Sequence, residues 1–349
     1  MASPASDMSF LVASGWLFAA WLISLLVVRG AIGYTRRRGM LDQPGRRRSH
    51  VQPTPRGGGV GIVGAMLVCV PGVLCTGTAA WPVSLVATVV AALALIALVG
   101  WRDDRRSLPV WPRLAAQVLA VGAFAVALLG EYESWWWLLV LLPAGVWSIN
   151  LHNFMDGIDG LLALQTIFVA SGLALLAWSA GQSALALASA VLVLAAFGFW
   201  IYNRPPARIF MGDVGSGSVG LMVFVFSAML WRADAQSLWP ALVLSSAFAV
   251  DAGLTLLSRI LRGRRWYSAH REHGYQWLVR CGATHAQAAA IYLAWDLLVT
   301  APLAWWAASQ PSRAMLITIV AYLAASVAWL LLKRRLLRRH PPRVRHAAA

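Results

Sequence analysis

Four short stretches of this sequence gather carboxylates, amides, glycines and imidazoles at spacings that suit phosphate chemistry. Asp103 and Asp104 are neighbours within Trp101-Arg102-Asp103-Asp104-Arg105-Arg106-Ser107-Leu108. Two carboxylates that close either share a proton or need a cation between them. The run from Asn150 to Leu161 (Asn-Leu-His-Asn-Phe-Met-Asp-Gly-Ile-Asp-Gly-Leu) spaces Asn150 from Asn153, and Asp156 from Asp159, so that on a helix each pair shares a face. Its glycines permit a break and a close backbone approach. His152, alone in this run, reads as an incidental polar anchor. In Phe210-Met211-Gly212-Asp213-Val214-Gly215-Ser216-Gly217-Ser218-Val219-Gly220, Asp213 precedes a glycine-rich helix start. Free backbone N–H groups at that helix start can cradle a phosphate while the carboxylate holds a bridging metal, and Gly212, Gly215 and Ser216 are candidates for contact with the nucleotide or sugar. No Walker lysine follows, which excludes a P-loop. The last stretch is His270-Arg271-Glu272-His273-Gly274-Tyr275-Gln276. Zinc would need a third ligand at suitable spacing and would be repelled by Arg262, Arg264, Arg265 and Arg271. His270, Arg271 and His273 suit a diphosphate clamp better. The inventory is that of phosphoryl transfer assisted by Mg²⁺, with Mn²⁺ as the alternative.

The elements that must position these groups are hydrophobic. Of 349 residues, 60% are hydrophobic and 12% charged, a balance foreign to a soluble domain of this size. Eleven apolar runs are long enough to cross a bilayer: Phe10 to Val28, Gly59 to Leu74, 81–101, 113–130, 135–150, 161–179, 184–202, 217–231, 239–260, 287–308 and 313–332. They show no period-2 alternation, so the expected fold is all-α and polytopic rather than a barrel. The chain reads as a single membrane domain over residues 1–349, without a soluble module or internal repeat. The first run lacks a basic region before it, so no cleaved signal peptide is expected. Cys69, Cys75 and Cys281 form no metal, redox or disulfide framework.

Charge orients the helices. Of the 29 Lys and Arg, 27 fall in one alternate set of loops and the tail, leaving Arg232 and Arg313 on the other side. The positive-inside rule makes the basic set cytoplasmic, with the N-terminus outside and the C-terminus inside. The cytoplasmic segments are then 29–58, 102–112, 150–160, 203–216 and 261–286, with a basic tail over 333–349. Every candidate catalytic group except Asp251, inside the ninth run, lies on that side. The formal charge of +16 follows helix ends and headgroup contact with membrane lipids, and implies no nucleic-acid partner. A transporter, the alternative from another class, would place its polar groups near the midplane and show repeats.

The ordered motifs resemble those of the polyprenyl-phosphate N-acetylhexosamine-1-phosphate transferases. Pro53-Thr54-Pro55-Arg56-Gly57-Gly58-Gly59 is similar to the family's first cytoplasmic motif. Asp103-Asp104-Arg105 with Leu108, Arg113 and Leu114 is similar to its Asp-Asp motif, and Asn150 to Leu161 and Phe210 to Gly220 to two more. The resemblance implies that Asp213 binds Mg²⁺ with Asn153 as a second contributor, and that Asp103 acts on the lipid phosphate as base or nucleophile, with Asp104 beside it. It implies that Asn150, Asp156 and Asp159 shape the nucleotide pocket, that His270, Arg271 and His273 hold the diphosphate and sugar, and that Arg56, Arg105 and Arg113 support the lipid phosphate or the motifs. Asp251 resembles an Asp the family often carries. The implied partners are a UDP-N-acetyl sugar and undecaprenyl phosphate in the bacterial inner membrane, with homodimerisation left open. The late loop departs from the peptidoglycan branch, having His-Arg-x-His-x-Tyr-Gln rather than a His triplet. It resembles the O-antigen-initiating branch that uses 6-deoxy sugars such as N-acetylfucosamine or N-acetylquinovosamine, with UDP-N-acetylglucosamine as the alternative donor.

Overall fold

A computed structural model describes residues 10–39, 41–42, 53–75, 81–130, 134–264 and 270–339. Arg46–Arg48, Arg265 and the tail beyond 339, which entered the count of basic residues, lie outside the described residues. The rest is a helical bundle: α1 (Phe10–Arg37), α2 (Val60–Leu74), α3 (Val83–Arg105), α4 (Val110–Leu129), α5 (Leu138–Met155), α6 (Leu161–Ser179), α7 (Ser183–Asn203), α8 (Asp213–Ala233), α9 (Leu238–Leu244), α10 (Ser246–Ile260), α11 (Gly274–Arg280), α12 (His285–Trp295), α13 (Ala301–Ser309) and α14 (Ala314–Arg339).

Among the described residues, nine helical segments are long and apolar enough to cross a membrane, and α9 with α10 forms a tenth, bent by 68°. This corrects one of the eleven runs, the ninth. The second is α2 as expected, 15 residues and about 22 Å long at 1.5 Å per residue, and it leads from the Arg56 end of the bundle to the far end where α3 begins. The ninth breaks at Ser245, where a serine pair interrupts the helix, a common cause of a sharp kink. Two other runs extend. α1 continues to Arg37, and α14 to Arg339, because the Lys, Arg and Leu residues that follow its apolar stretch are themselves good helix formers. The tenth run carries a π turn over Asp296–Thr300 between α12 and α13, upstream of Pro302, whose ring and missing N–H disturb the regular ladder.

The centre of the bundle is α8, surrounded by α2, α3, α5, α6 and α7. Almost its whole length is buried. Small residues make this possible. A Cβ on Gly59 would lie 2.1 Å from the Cα of Gly215, so the starts of α2 and α8 meet backbone to backbone. The only strands among the described residues are β1 (Leu41–Asp42) and β2 (Thr54–Pro55), paired antiparallel. Beyond β2 the chain runs beside residues 210–211: Phe210 N–H donates to Pro55 C=O at 2.8 Å, and Gly58 N–H to Phe210 C=O at 2.8 Å. That pairing delivers Arg56 to the first turn of α8.

Candidate active site

The last turns of α3 and α5 and the first turn of α8 meet at one end of the bundle, and each contributes the motif residue that its local sequence places there. Asp103 and Asp104 lie on α3, Asn150 and Asn153 on α5, and Asp213 begins α8. Gly212, just before it, has φ +76°, and a Cβ there would come within 2.6 Å of the Asp104 carboxylate. Glycine is needed both for the backbone and for the space.

Two arginines and three carboxylates form the core of the site. Arg56 Nε lies 2.9 Å from Asp104 Oδ1, and its Nη2 lies 2.7 Å from Asp213 Oδ1. Arg113 Nη1 is 2.7 Å from Asp103 Oδ2 and 3.6 Å from Asp213 Oδ2. With all five ionised the cluster carries a formal −1, two positive charges against three negative. Burial pulls the Arg56 guanidinium down, but Asp213 and Asp104 outweigh it and hold it above its ordinary value.

The two adjacent aspartates have different surroundings. Asp104 accepts the backbone N–H of Asp213 and of Val214, and its side chain is 3% exposed. Asp103 accepts the Leu108 N–H through Oδ1 and pairs with Arg113 through Oδ2, while its carboxyl group also lies in hydrogen-bonding contact with that of Asp213. Asn153 Nδ2 donates to Asp213 Oδ1 at 3.1 Å and to Ser216 Oγ at 3.0 Å, which leaves the amide oxygen for another partner. No three acidic, imidazole or thiol groups converge as a metal cage among the described residues. Mg²⁺ needs no such cage, since it takes one or two carboxylates and fills its other positions with water and substrate phosphate. The touching carboxyl groups of Asp103 and Asp213, with the Asn153 amide, fit that requirement.

Two cavities flank this core. One, of 380 Å³, is lined by Asp42, Arg56, Asp156, Asp159, Arg271 and Arg280 among others. The second, of 730 Å³, is lined by Arg38, Arg56, Asp103, Asp104, Arg105 and Arg106 with Tyr34. Arg105 is stacked 3.7 Å over the ring of Trp101 and donates to Tyr34 Oη. Arg56 and Asp42 line both cavities.

The structure distributes the remaining sequence candidates unevenly. Asp156 lines the smaller cavity and is half-buried; burial pushes it up to about 7, with Arg56 opposing and Asp104 reinforcing the shift. Asp159 uses Oδ2 to accept the Ala207 N–H and leaves Oδ1 without a protein partner. Asn150 turns toward Gln117 on α4, donating to its Oε1 at 2.7 Å, and so sits beside Asp103 and Arg113 rather than in the larger chambers. Gly215 and Ser216 are buried in helix contacts. In the late loop Arg271 lines the 380 Å³ cavity, whereas His270 and His273 form an aromatic stack with Phe154 and Tyr275. Burial, with His273 and Arg259 nearby, pushes His270 down to about 4, so its imidazole is neutral at pH 7. The charge of this clamp at neutral pH therefore comes from Arg271 and Arg280. Asp42, Gln117 and Arg280 escaped the motif reading, and only Asp42 carried a usable sign, an acid in the basic first loop.

A bundle of apolar spans enclosing a carboxylate–guanidinium site at one end defines a multi-pass membrane enzyme. Residues 86–231 match the description of glycosyl transferase family 4, and the similarity of the chain to named phosphotransferases identifies a sugar-1-phosphate transferase. It is 29% identical to the decaprenyl-phosphate N-acetylglucosaminephosphotransferase of Mycolicibacterium smegmatis, over 93% of this chain and 86% of the relative. It is 28% identical to a probable undecaprenyl-phosphate N-acetylglucosaminyl 1-phosphate transferase of Bacillus subtilis, over 77% and 79%. Against the undecaprenyl-phosphate alpha-N-acetylglucosaminyl 1-phosphate transferase of Escherichia coli it is 26% identical over 80% of each chain.

Proposed function

We propose that this enzyme moves an N-acetylhexosamine 1-phosphate from a UDP-sugar onto undecaprenyl phosphate at the cytoplasmic face of the bacterial inner membrane, releasing UMP. The observation that carries the proposal is a pair of cavities meeting at Arg56. The smaller has carboxylates for hydroxyl groups and Arg271 and Arg280 for a diphosphate; the larger has Arg38, Arg105 and Arg106 for a lipid phosphate. The basic helix ends on the same side support the cytoplasmic orientation.

A phosphate monoester with a second pKa of about 6 is mostly dianionic at pH 7 and needs little help from a base. In this reading its oxygen forms a bond to the β-phosphorus of the donor, the bond to the bridging oxygen breaks, and UMP leaves with that oxygen. Both oxygens of Asp103 are engaged, by the Leu108 N–H and by Arg113, which favours direct attack over an aspartyl-phosphate route. Asp103 then holds Arg113 toward the incoming phosphate. Asp213 and Asn153 would hold Mg²⁺, which supplies charge neutralisation for the diphosphate. Arg56, shared by both cavities, aligns the two phosphates.

The late loop favours a 6-deoxy donor and O-antigen or another surface polysaccharide as the product's destination; the named relatives favour N-acetylglucosamine. Radiolabelled UMP release from UDP-N-acetylglucosamine, UDP-N-acetylfucosamine and UDP-N-acetylquinovosamine, with and without undecaprenyl phosphate, tests the proposal. Release only when the lipid is present is expected. Release without it, or from none of the three, would overturn it.

A further inference from the structure

Behind the His270–Arg280 segment lies a carboxylate that touches neither cavity. Asp251, in the middle of α10 and 1% exposed, accepts hydrogen bonds from the Gly274 N–H at 2.7 Å, Trp329 Nε1 at 2.8 Å and Tyr292 Oη at 2.6 Å. Thr255 Oγ1 stands at 3.4 Å. These donors sit on α11, α14, α12 and α10 in turn. A carboxylate inside a membrane span is costly unless its lone pairs are filled, and here both oxygens are. The bond from Gly274 is special among them, because it falls on a free N–H at the start of α11 and is strengthened by charge.

The opposite side of α11 is also held. Tyr275 Oη donates to the Phe154 C=O at 3.0 Å, on the α5 end that carries Asn153. A Cβ on Gly157 would lie 2.1 Å from that hydroxyl, so the two segments fit without slack. α11 is thus clamped between α5 and the Asp251 node, and its residues Gln276, Val279 and Arg280, with Arg271 just before it, form one wall of the 380 Å³ cavity.

We infer that Asp251 is a positioning residue for the nucleotide-diphosphate donor, setting the height and register of the Arg271–Arg280 wall through Gly274. The inference rests on the proposed reading of that wall as a donor contact. It also assigns a function to α14, whose Trp329 is one of the three close donors.

The test is UDP affinity, measured by calorimetry on the full chain in lipid nanodiscs. Trp329→Phe removes one hydrogen bond to Asp251 and keeps an aromatic ring in place; Tyr292→Phe does the same from α12 and serves if the first variant does not fold. Either is expected to weaken UDP about tenfold, and to weaken it by less than about twofold in an Arg271→Ala background, where the displaced wall has lost its main contact. In an Arg105→Ala background, on the other cavity, the full effect should persist. Equal effects in both backgrounds would show a general loss of stability and overturn the positioning role, as would unchanged affinity in both single variants. If Arg271→Ala alone leaves UDP affinity intact, the donor reading of the wall fails instead.

Discussion

Asp104 closes the start of α8 from a different helix: its two carboxylate oxygens accept the N–H groups of Asp213 and Val214 at 2.9 and 3.1 Å. It thereby does the work of an N-cap across 109 residues of sequence. Removing it should both loosen α8 and displace Asp213. Asp104→Ala is expected to lower stability by about 1–2 kcal/mol, as loss of a cap does, and to abolish turnover. Asp103→Asn should abolish or slow turnover while keeping the thermal midpoint near wild type. Unfolding curves in detergent for the two variants check this, and equal midpoints would contradict the division of labour.

Arg56 ties Asp104 to Asp213 with two separate nitrogens and lines both cavities. A lysine ammonium cannot present that fork. Arg56→Lys should therefore lower kcat/KM by about tenfold or more, and the KM of nucleotide sugar and of lipid phosphate should both rise. Steady-state kinetics with each substrate varied in turn would show it; a change confined to one KM would argue against a shared contact.

The carboxyl groups of Asp103 and Asp213 touch, in a cluster of formal charge −1, and we expect turnover to depend on a divalent cation. Chelation should abolish UMP release and Mg²⁺ restore it. Asp213→Asn should need a markedly higher Mg²⁺ concentration for half-maximal rate, and Asn153→Ala a moderately higher one. A wild-type Mg²⁺ titration in Asp213→Asn would remove that residue from the site.

Asp156 is shifted up from its ordinary 3.8 to about 7, chiefly by burial. The folded chain then keeps a proton that the unfolded chain has already released, so the associated stability is complete below about pH 4 and is lost as pH rises through about 7. The thermal midpoint of the ligand-free protein should fall across that window, and Asp156→Asn should flatten the fall while weakening donor binding. Scanning calorimetry from acid to neutral pH tests the slope; an unchanged slope in the variant would rule Asp156 out as its source.

The motifs and the spans were legible because both are local. Apolar runs report helices directly, and Asp103–Asp104, Asn153, Asp156 and Asp213 stood out because so many polar groups recur within a few residues. Even so, Ser245 and Asp296 gave little warning of the bend and the π turn, which depend on how neighbouring helices accept an irregular backbone. By itself the sequence determined a polytopic helical chain with its polar chemistry and basic residues at one end. Only the tertiary structure decided what each oxygen does: Asp104 caps α8, Asn150 faces Gln117, Arg271 rather than the neutral His270 supplies charge, and Asp251 accepts the N–H at the start of α11. The reason is physical. A residue type and its spacing set what a side chain can bond, whereas its actual partner comes from a helix tens to more than a hundred residues away, brought within hydrogen-bond distance by packing around the small residues of α8.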